Sequence, residues 1–274
     1  MEPFVLREKE YFILEDWDRQ FPNLTVGFTT KNGGNSKGDF TNLNVGFHVE
    51  DRKSTVCENR NQLAEKLAFP LAGWIGAQQT HEVKIKKATK YDKGKGANDY
   101  ESAFGHTDGF FTFDSGILLT LCYADCVPLY FLHPESGAVG VAHAGWKGTV
   151  HGIAEEMIRT FQEEGLKVND ILVAIGPSIC ENCYIVDDHV IKLVENRLEG
   201  VERKPYNLIS DHQYKLNLKE CNKEILLNTG ILEEHISMTN LCTSCQADHF
   251  FSHRRDQGKT GRMMSFIGWK EDIQ

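Results

Sequence analysis

The sequence predicts a mixed α/β (α+β) protein, and two observations lead to that class. Short apolar segments rich in Val, Leu, Tyr and Phe, which are typical of buried strands, occur at Ile117–Cys122, Val127–His133 and Ala138–His143. From Thr149 the apolar residues instead recur at helical spacing, and Gly165 ends that run. Because no repeat, linker or low-complexity segment divides the 274 residues, we expect one domain over residues 1–274.

The same two periodicities predict the elements that precede this apolar centre. Strands are expected at Tyr11–Leu14, Leu24–Thr29 and Val83–Ile85. A helix capped by Ser54 is expected to bury Val56, Leu63 and Leu67, and Arg60 lies in this helix. Two polar stretches rich in glycine predict surface loops, at Lys31–Gly38 and Lys86–His106.

Beyond the centre, the pattern alternates again between strands and helices. We expect a strand at Asp170–Ile175 and helices at Val190–Leu198 and Leu218–Leu227. Phe250 and Phe251 indicate a strand that delivers Arg254 and Arg255, and the last strand is expected at Met263–Trp269.

Composition and charge exclude several classes of protein. Hydrophobic residues make up 41% and charged residues 25% of the chain, which is typical of a packed domain. The net charge of −9 argues against a nucleic-acid partner, since that binding requires a basic face. The longest apolar run, Ile117–Leu132, is interrupted by Asp125 and Pro128, so we expect no membrane partner. Eight cysteines without a signal peptide indicate reduced thiols and a cytoplasmic protein.

One set of candidate metal ligands comes from three different strand ends. His81, Cys126 and His143 combine two imidazoles with a thiolate, and three protein ligands leave one zinc position open, as in catalytic sites. The residues alone also allow a nucleophile–base pair of Cys126 and His143, or simple core packing.

A second set consists of two Cys-x-x-Cys pairs, Cys180/Cys183 and Cys242/Cys245. Four thiolates could bind a structural zinc ion. However, the pairs lie much farther apart in the chain than the halves of a zinc ribbon, so we favour unlinked thiols or core residues. Without an export signal we also expect no disulfide framework.

Five motifs resemble those of a known family. They are Gln78–His81, Ala124–Pro128, Ala142–Gly148, Gly176–Ser178 and the pair His253–Asp256 with Thr260–Arg262. They resemble the purine nucleoside phosphorylase family that was formerly described as multicopper polyphenol oxidases, the laccase-domain family. The likeness extends over nearly the whole chain, and the segments Ala-Asp-Cys-Val-Pro and Ala-His-Ala-Gly-Trp-Lys-Gly are specific.

The resemblance implies a layered sandwich of mixed β-sheets flanked by helices, and a zinc ion bound by His81, Cys126 and His143, with copper as the alternative metal. It implies that Arg255 acts in catalysis. The implied reaction is phosphorolysis of adenosine, inosine and methylthioadenosine to the free base and ribose 1-phosphate or its methylthio analogue. Deamination of adenosine is the implied second activity. The partners would therefore be purine nucleosides and phosphate.

Phosphorolysis requires a cationic clamp for phosphate, and the sequence offers candidates. Lys147 and the N–H group of Gly148 begin a helix, where unpaired N–H groups favour an anion. Arg60 and Gln79 complete the predicted substrate- and phosphate-binding set, and Arg255 could add a bidentate contact. Asp125 is either a proton shuttle or a carboxylate that caps a turn.

Three alternatives remain open at this stage. A copper polyphenol oxidase would need many histidine ligands, and the chain has 11 His but no His-x-His pair. A cysteine hydrolase or amidase would use Cys126 as nucleophile and His143 as base, with a muramoyl peptide of cell-wall precursor editing as one substrate class. A metal or nucleoside sensor without turnover is the third.

Overall fold

The computed structural model describes residues 2–271 and contains 17 strands within them. In chain order the strands are β1 Phe4–Glu8, β2 Tyr11–Leu14, β3 Leu24–Thr29, β4 Trp74–Ile75, β5 Ala77–Gln78, β6 Ile85–Lys87, β7 Phe104–Gly105, β8 Gly109–Thr112, β9 Leu118–Tyr123, β10 Val127–His133, β11 Ala138–Ala144, β12 Leu172–Ile175, β13 Ile185–Val186, β14 Tyr206–Ser210, β15 Gln213–Leu216, β16 Ile236–Met238 and β17 Met263–Trp269.

The same residues contain six α-helices. They are α1 Glu15–Gln20, α2 Lys53–Leu67, α3 Trp146–His151, α4 Ile153–Glu163, α5 Asp188–Arg197 and α6 Leu218–Asn228. None of the helices that the structure describes is long and apolar enough to cross a membrane.

Two six-stranded mixed sheets form the centre of the molecule. The first has the order β1-β2-β3-β17-β9-β4 and is antiparallel except for β4 beside β9. The second has the order β16-β12-β10-β11-β8-β6, with parallel pairs only at its two edges. Smaller sheets join β13, β15 and β14, and β5 with β7.

Alternation along the strands places the two sheets face to face. In β10, Tyr130 and Leu132 pack into the core between the sheets, whereas Leu129 and Phe131 belong to the core beneath α4, α5 and α6. Successive side chains of a strand point to opposite faces of its sheet, so β10 is buried on both faces. Truncation of one such ring, as in Phe131→Ala, would cost about 3–5 kcal/mol.

Helix α2 covers the outer face of the first sheet. Its residues Leu63 and Leu67 pack with Leu118, Met264 and Phe266 of the sheet. The order of layers is therefore helix, sheet, sheet, helices. The predicted class, a layered sandwich of mixed sheets flanked by helices, is confirmed.

The strand predictions are confirmed for most of the core, but one predicted helix is divided. The run after His143 forms α3 and α4, separated by Gly152 with φ 87°. The left-handed glycine donates its N–H to the carbonyls of Gly148 and Thr149 and so ends α3. The prediction of one continuous helix from Thr149 is wrong because side-chain periodicity does not register such a break.

Two further predictions are wrong for local reasons. Phe250 and Phe251 are buried in a loop rather than a strand, and Phe250 stacks on Phe12 with ring centroids 5.4 Å apart. Ser54 lies inside the first turn of α2, whose N-terminal cap is Arg52.

The polar segment Lys86–His106 is not simply an exposed loop. Its glycine-rich part is folded back against β4, where Gly94 donates its N–H to the carbonyl of Trp74 at 3.0 Å. Ala88 and Ala97 are buried. Backbone pairing holds this segment in place despite its polar composition, and Tyr100 thereby reaches the pocket described next.

Candidate active site

A cavity of about 380 Å³ opens where β9 turns into β10, beside the end of β11. That volume lies within the roughly 300–1,000 Å³ of small-molecule sites. The residues that line it are His48, Gln79, His81, Tyr100, Cys122, Ala124, Asp125, Cys126, His143, Trp146, Tyr184, His253, Arg254 and Arg262.

The three predicted metal ligands converge on one side of this cavity. One ligand atom each of His81, Cys126 and His143 lies within 4.8 Å of the other two. The backbone permits the approach, because a Cβ at Gly145 would lie 3.0 Å from the Cys126 Sγ and 3.3 Å from the His81 ring. His81 itself has a φ of 63°, so its turn is held in the left-handed region.

Asp108, which the sequence analysis missed, fixes two of these ligands. Its carboxylate lies 2.8 Å from Nδ1 of His143, which leaves Nε2 available to a metal. The same carboxylate accepts the backbone N–H groups of Thr80, His81 and Glu82, each at 3.0 Å. Burial raises the pKa of Asp108, but the bonds from His143 and these N–H groups outweigh it and lower the pKa. A carboxylate that orients a ligand histidine is typical of zinc sites.

The thiol of Cys126 and the buried imidazole of His143 shift each other's pKa in opposite directions. Burial raises the pKa of Cys126, yet His143 and His81 outweigh burial and lower it to about 6. Burial lowers the pKa of His143, while Cys126 and Asp108 raise it to about 9. The site therefore supplies a thiolate near neutral pH, which suits either a metal or a nucleophile.

We expect Asp108→Asn to weaken metal binding by about 10–100-fold, because His143 loses the group that orients it. Competition of the purified protein with a chromogenic chelator measures this affinity. Asp114→Asn is the matched control, since Asp114 also accepts a backbone N–H, from Lys90 at 2.7 Å, but does not line the cavity. Equal affinity in the two variants would contradict the orienting role of Asp108.

Arginine residues occupy another wall of the cavity, but they are Arg254 and Arg262. The guanidinium of Arg254 lies over the ring of Tyr184 at 4.9 Å and donates from Nη1 to the carbonyl of Ile185. Arg262 donates from Nη1 to the carbonyls of Thr260 and Gly261. Within residues 2–271 the remaining guanidinium nitrogens of both arginines have no hydrogen-bond acceptor, so they can bind an anion.

Arg255 does not line this cavity, so the geometry does not favour the role in catalysis that was predicted for it. Its Nε and Nη2 contact the carboxylate of Asp256 at 2.7 and 2.9 Å. Its Nη1 and Nη2 also donate to the carbonyls of Thr243, Ser244 and Phe250. All three nitrogens of the guanidinium are thus used to hold a loop together.

The carboxylate of Asp125 decides which arginine faces the cavity. It accepts the backbone N–H of Arg254 at 2.7 Å and the hydroxyls of Ser252 and Thr243 at 3.1 and 2.7 Å. Asp125 is buried and has a φ of 88°. Of the two alternatives for Asp125, these contacts favour the carboxylate that holds a turn over the proton shuttle.

Gln79 lines the cavity and Arg60 lies behind its wall, and both already have hydrogen-bond partners. Gln79 forms two hydrogen bonds with the backbone of Cys122, at 2.9 and 2.7 Å. The buried Arg60 donates to the carbonyls of Val45, Gly96 and Ala97. The bonds from Arg60 to Gly96 and Ala97 tie the segment Lys86–His106 to α2. Because both side chains are used in this way, the geometry does not favour the predicted role of either residue in binding phosphate.

Lys147 and Gly148 are likewise not part of the cavity wall. Lys147 is exposed, with its Nζ 5.6 Å from the centroid of the Trp146 ring. Gly148 is buried against the backbone of His143 and Glu82. Neither residue lines the cavity, whereas Trp146 of the same motif does.

Aromatic rings form the remaining walls, and the sequence analysis did not identify them. Trp146, Tyr184 and Tyr100 line the cavity, and His48 lies beside Tyr100 with ring centroids 5.9 Å apart. Trp146 lies inside a motif already noted, so its position was a usable signal. Tyr100 and His48 lie in loops without a local pattern, and only the fold brings them here.

The four cysteines of the Cys-x-x-Cys pairs also come together, although none of them lines the cavity. One Sγ from each of Cys180, Cys183, Cys242 and Cys245 lies within 4.8 Å of the others. The four thiols are therefore close enough to bind one metal ion, which is the alternative that the sequence analysis did not favour. Separation in sequence did not prevent the two loops from meeting.

Comparison with known proteins places the chain in a family. A family model described as multi-copper polyphenol oxidoreductase laccase matches residues 25–270. Because this match extends over most of the 274 residues, the chain belongs to that family.

Two curated relatives have a different kind of name. The purine nucleoside phosphorylase YlmD of Geobacillus stearothermophilus is 48% identical over 253 residues, 92% of each chain. The protein of that name from Bacillus subtilis is 46% identical over 273 residues, 98% of each chain. The crystal structure of YlmD from Geobacillus stearothermophilus has a TM-score of 0.96 at 45% identity, covering 99% of this chain and 100% of that chain.

Proposed function

We propose that this protein is a zinc-dependent purine nucleoside phosphorylase. It cleaves adenosine, inosine and methylthioadenosine with phosphate to the free base and ribose 1-phosphate or its methylthio analogue. Deamination of adenosine is its second activity. The names of the relatives from Geobacillus stearothermophilus and Bacillus subtilis support the phosphorylase reaction.

The observation that carries the proposal is a single cavity with three chemically different walls. Aromatic rings of Trp146, Tyr184 and Tyr100 offer faces to a planar base. Arg254 and Arg262 offer unpaired donors to an anion. The metal ligands form the third wall. The purine base requires the aromatic wall and phosphate requires the arginine wall, and the two must lie side by side for the reaction.

In this reaction an oxygen of phosphate attacks C1′ of the ribose while the bond from C1′ to the purine N9 breaks. The base leaves with the bonding electrons and takes up a proton. Arg254 and Arg262 hold the phosphate and offset the charge that moves between nucleophile and leaving group. Tyr184 positions both partners, because its ring contacts Arg254 and also lines the cavity.

The donor set of the third wall fits zinc. Two imidazoles and one thiolate are ligands that zinc prefers, and three protein ligands are typical of catalytic sites. His81, Cys126 and His143 would hold the ion, and Asp108 orients His143. When bound there, zinc supplies a Lewis acid.

A multicopper oxidase needs several copper ions with many histidine ligands. Among residues 2–271, His81, Cys126 and His143 form the only metal-ligand cluster that contains histidine. The other cluster consists of four cysteines, a set that is typical of zinc or iron–sulfur sites. The ligands therefore favour the phosphorylase over the oxidase that the family description names.

One observation supports a second candidate, a cysteine hydrolase. The lowered pKa of the Cys126 thiol and the raised pKa of the nearby His143 imidazole favour the ion pair that such a nucleophile requires. The convergence of His81 on the same point favours a metal instead, because a hydrolase has no need of a third ligand at its nucleophile.

A product assay with adenosine, with and without phosphate, tests the proposed reaction. We expect adenine and ribose 1-phosphate only when phosphate is present, because phosphate is the attacking group. The sum of inosine and hypoxanthine should form at the same initial rate in both conditions, since deamination consumes no phosphate and hypoxanthine arises only from the inosine that phosphate cleaves. Release of adenine and free ribose without phosphate would identify a hydrolase and overturn the phosphorylase assignment.

A further inference from the structure

Two loops that are distant in sequence meet through their cysteines. The Sγ atoms of Cys180 and Cys245 lie 3.8 Å apart, and those of Cys183 and Cys245 lie 3.3 Å apart. Together with Cys242, all four thiols fall within 4.8 Å of one another. Each loop contributes one Cys-x-x-Cys turn.

These separations match a shared metal ion better than disulfides. A tetrahedron with zinc–sulfur bonds of about 2.3 Å has sulfur–sulfur edges of roughly 3.8 Å. A disulfide would bring two sulfurs to about 2.05 Å. Four cysteine ligands leave no open position, which is the property of a structural site rather than a catalytic one.

The backbone around the thiols is arranged to support a thiolate. Cys242 Sγ accepts the backbone N–H groups of Cys180 at 3.2 Å and Cys245 at 3.4 Å. The loops are also joined directly, by a parallel bridge between Ser178 and Cys242 and by the N–H of Thr243 donating to the carbonyl of Ser178 at 3.1 Å. The ligand positions are thus held by backbone contacts and not by the thiols alone.

A buried cation lies beside the cluster. Lys219 of α6 is 6% exposed, and its Nζ donates to the carbonyls of Thr239 and Leu241, next to Cys242. Four thiolates around a divalent ion carry a net charge of about −2, and a nearby ammonium group offsets part of it. Without the negative charge of such a site, burial of the Lys219 ammonium group would be costly.

We propose that Cys180, Cys183, Cys242 and Cys245 bind a second, structural zinc ion. The ion fastens the loop that carries Tyr184 to the loop that carries Arg254, and so holds one wall of the cavity. This inference does not depend on which reaction the cavity performs.

Elemental analysis of the full-length protein, purified under reducing conditions, tests the proposal. We expect two zinc ions per chain in the wild type and one in Cys126→Ala, because that substitution removes a ligand of the other site only. The double variant Cys180→Ser/Cys245→Ser should also retain one. Cys57→Ser is the matched control, since Cys57 is a free cysteine outside both clusters, and it should retain two.

Cobalt substitution keeps the test decisive if the double variant fails to fold. In the Cys126→Ala background only the four-cysteine site remains, so bound cobalt(II) should show the thiolate charge-transfer and visible bands of a tetrahedral sulfur site. Thiol titration of denatured, chelator-treated and unreduced wild type should find all eight cysteines free. Four free thiols, or a Cys126→Ala protein that binds neither zinc nor cobalt, would overturn the proposal.

Discussion

His81→Ala and Cys126→Ala should each lower kcat/KM for phosphorolysis by roughly a thousandfold, and each should lose one zinc ion per chain. Both side chains belong to the same three-ligand set, so removal of either leaves only two ligands for the metal. Loss of a Lewis acid raises the barrier by several kcal/mol, and about 1.4 kcal/mol corresponds to a factor of ten. Steady-state kinetics and elemental analysis of the same preparations measure the two effects.

The comparison between these two variants separates a metal enzyme from a cysteine hydrolase. A hydrolase would lose its activity in Cys126→Ala but keep most of it in His81→Ala, since only Cys126 and His143 form its catalytic pair. His106→Ala is the matched control, because His106 is also exposed and also has a positive φ, 50°, yet does not line the cavity. Nearly normal activity of His81→Ala would contradict the metal assignment.

Substitution of two adjacent arginines should have opposite consequences. Arg254→Ala should lower kcat/KM for phosphorolysis by about a hundredfold with little change in stability, because Arg254 faces the cavity with unpaired donors. Arg255→Ala should lower the free energy of unfolding by about 2–3 kcal/mol, because it leaves the carbonyls of Thr243 and Ser244 and the carboxylate of Asp256 without their partner. Kinetics and urea denaturation measure the two quantities.

Lys147→Ala is the control for the loss of a positive charge near the site. Its side chain is exposed and lies outside the cavity wall, so both activity and stability should stay near the wild-type values. If Lys147→Ala raised the KM for phosphate while Arg254→Ala did not, the anion would bind at the start of α3. That result would restore the phosphate site expected from the sequence.

The strands of the two central sheets were predictable because their signal is local. Val127–His133 and Met263–Trp269 were predicted with the bounds that the structure has, since both are continuous apolar runs covered on two faces. The convergence of His81, Cys126 and His143 was predictable in part. Cys126 directly precedes β10, His143 lies near the end of β11, and the family motifs name the same three positions as ligands.

Other features could not be predicted because they depend on contacts distant in sequence. Asp108 orients His143 only because β8 and β11 are neighbours in the sheet. Tyr100 lies in a polar segment without periodicity, and backbone bonds to β4 bring that segment to the cavity.

The sequence by itself determined the mixed α/β class, the core strands and the chemical types available to the site, because burial periodicity and residue chemistry are local properties. Only the tertiary structure decided between Arg254 and Arg255. That choice depends on the carboxylate of Asp125, which accepts the N–H of Arg254 across a separation of more than a hundred residues. The tertiary structure also decided that the cysteine pairs meet. The bridge between Ser178 and Cys242 joins two segments that are distant in sequence, and only the packing of the core brings them together.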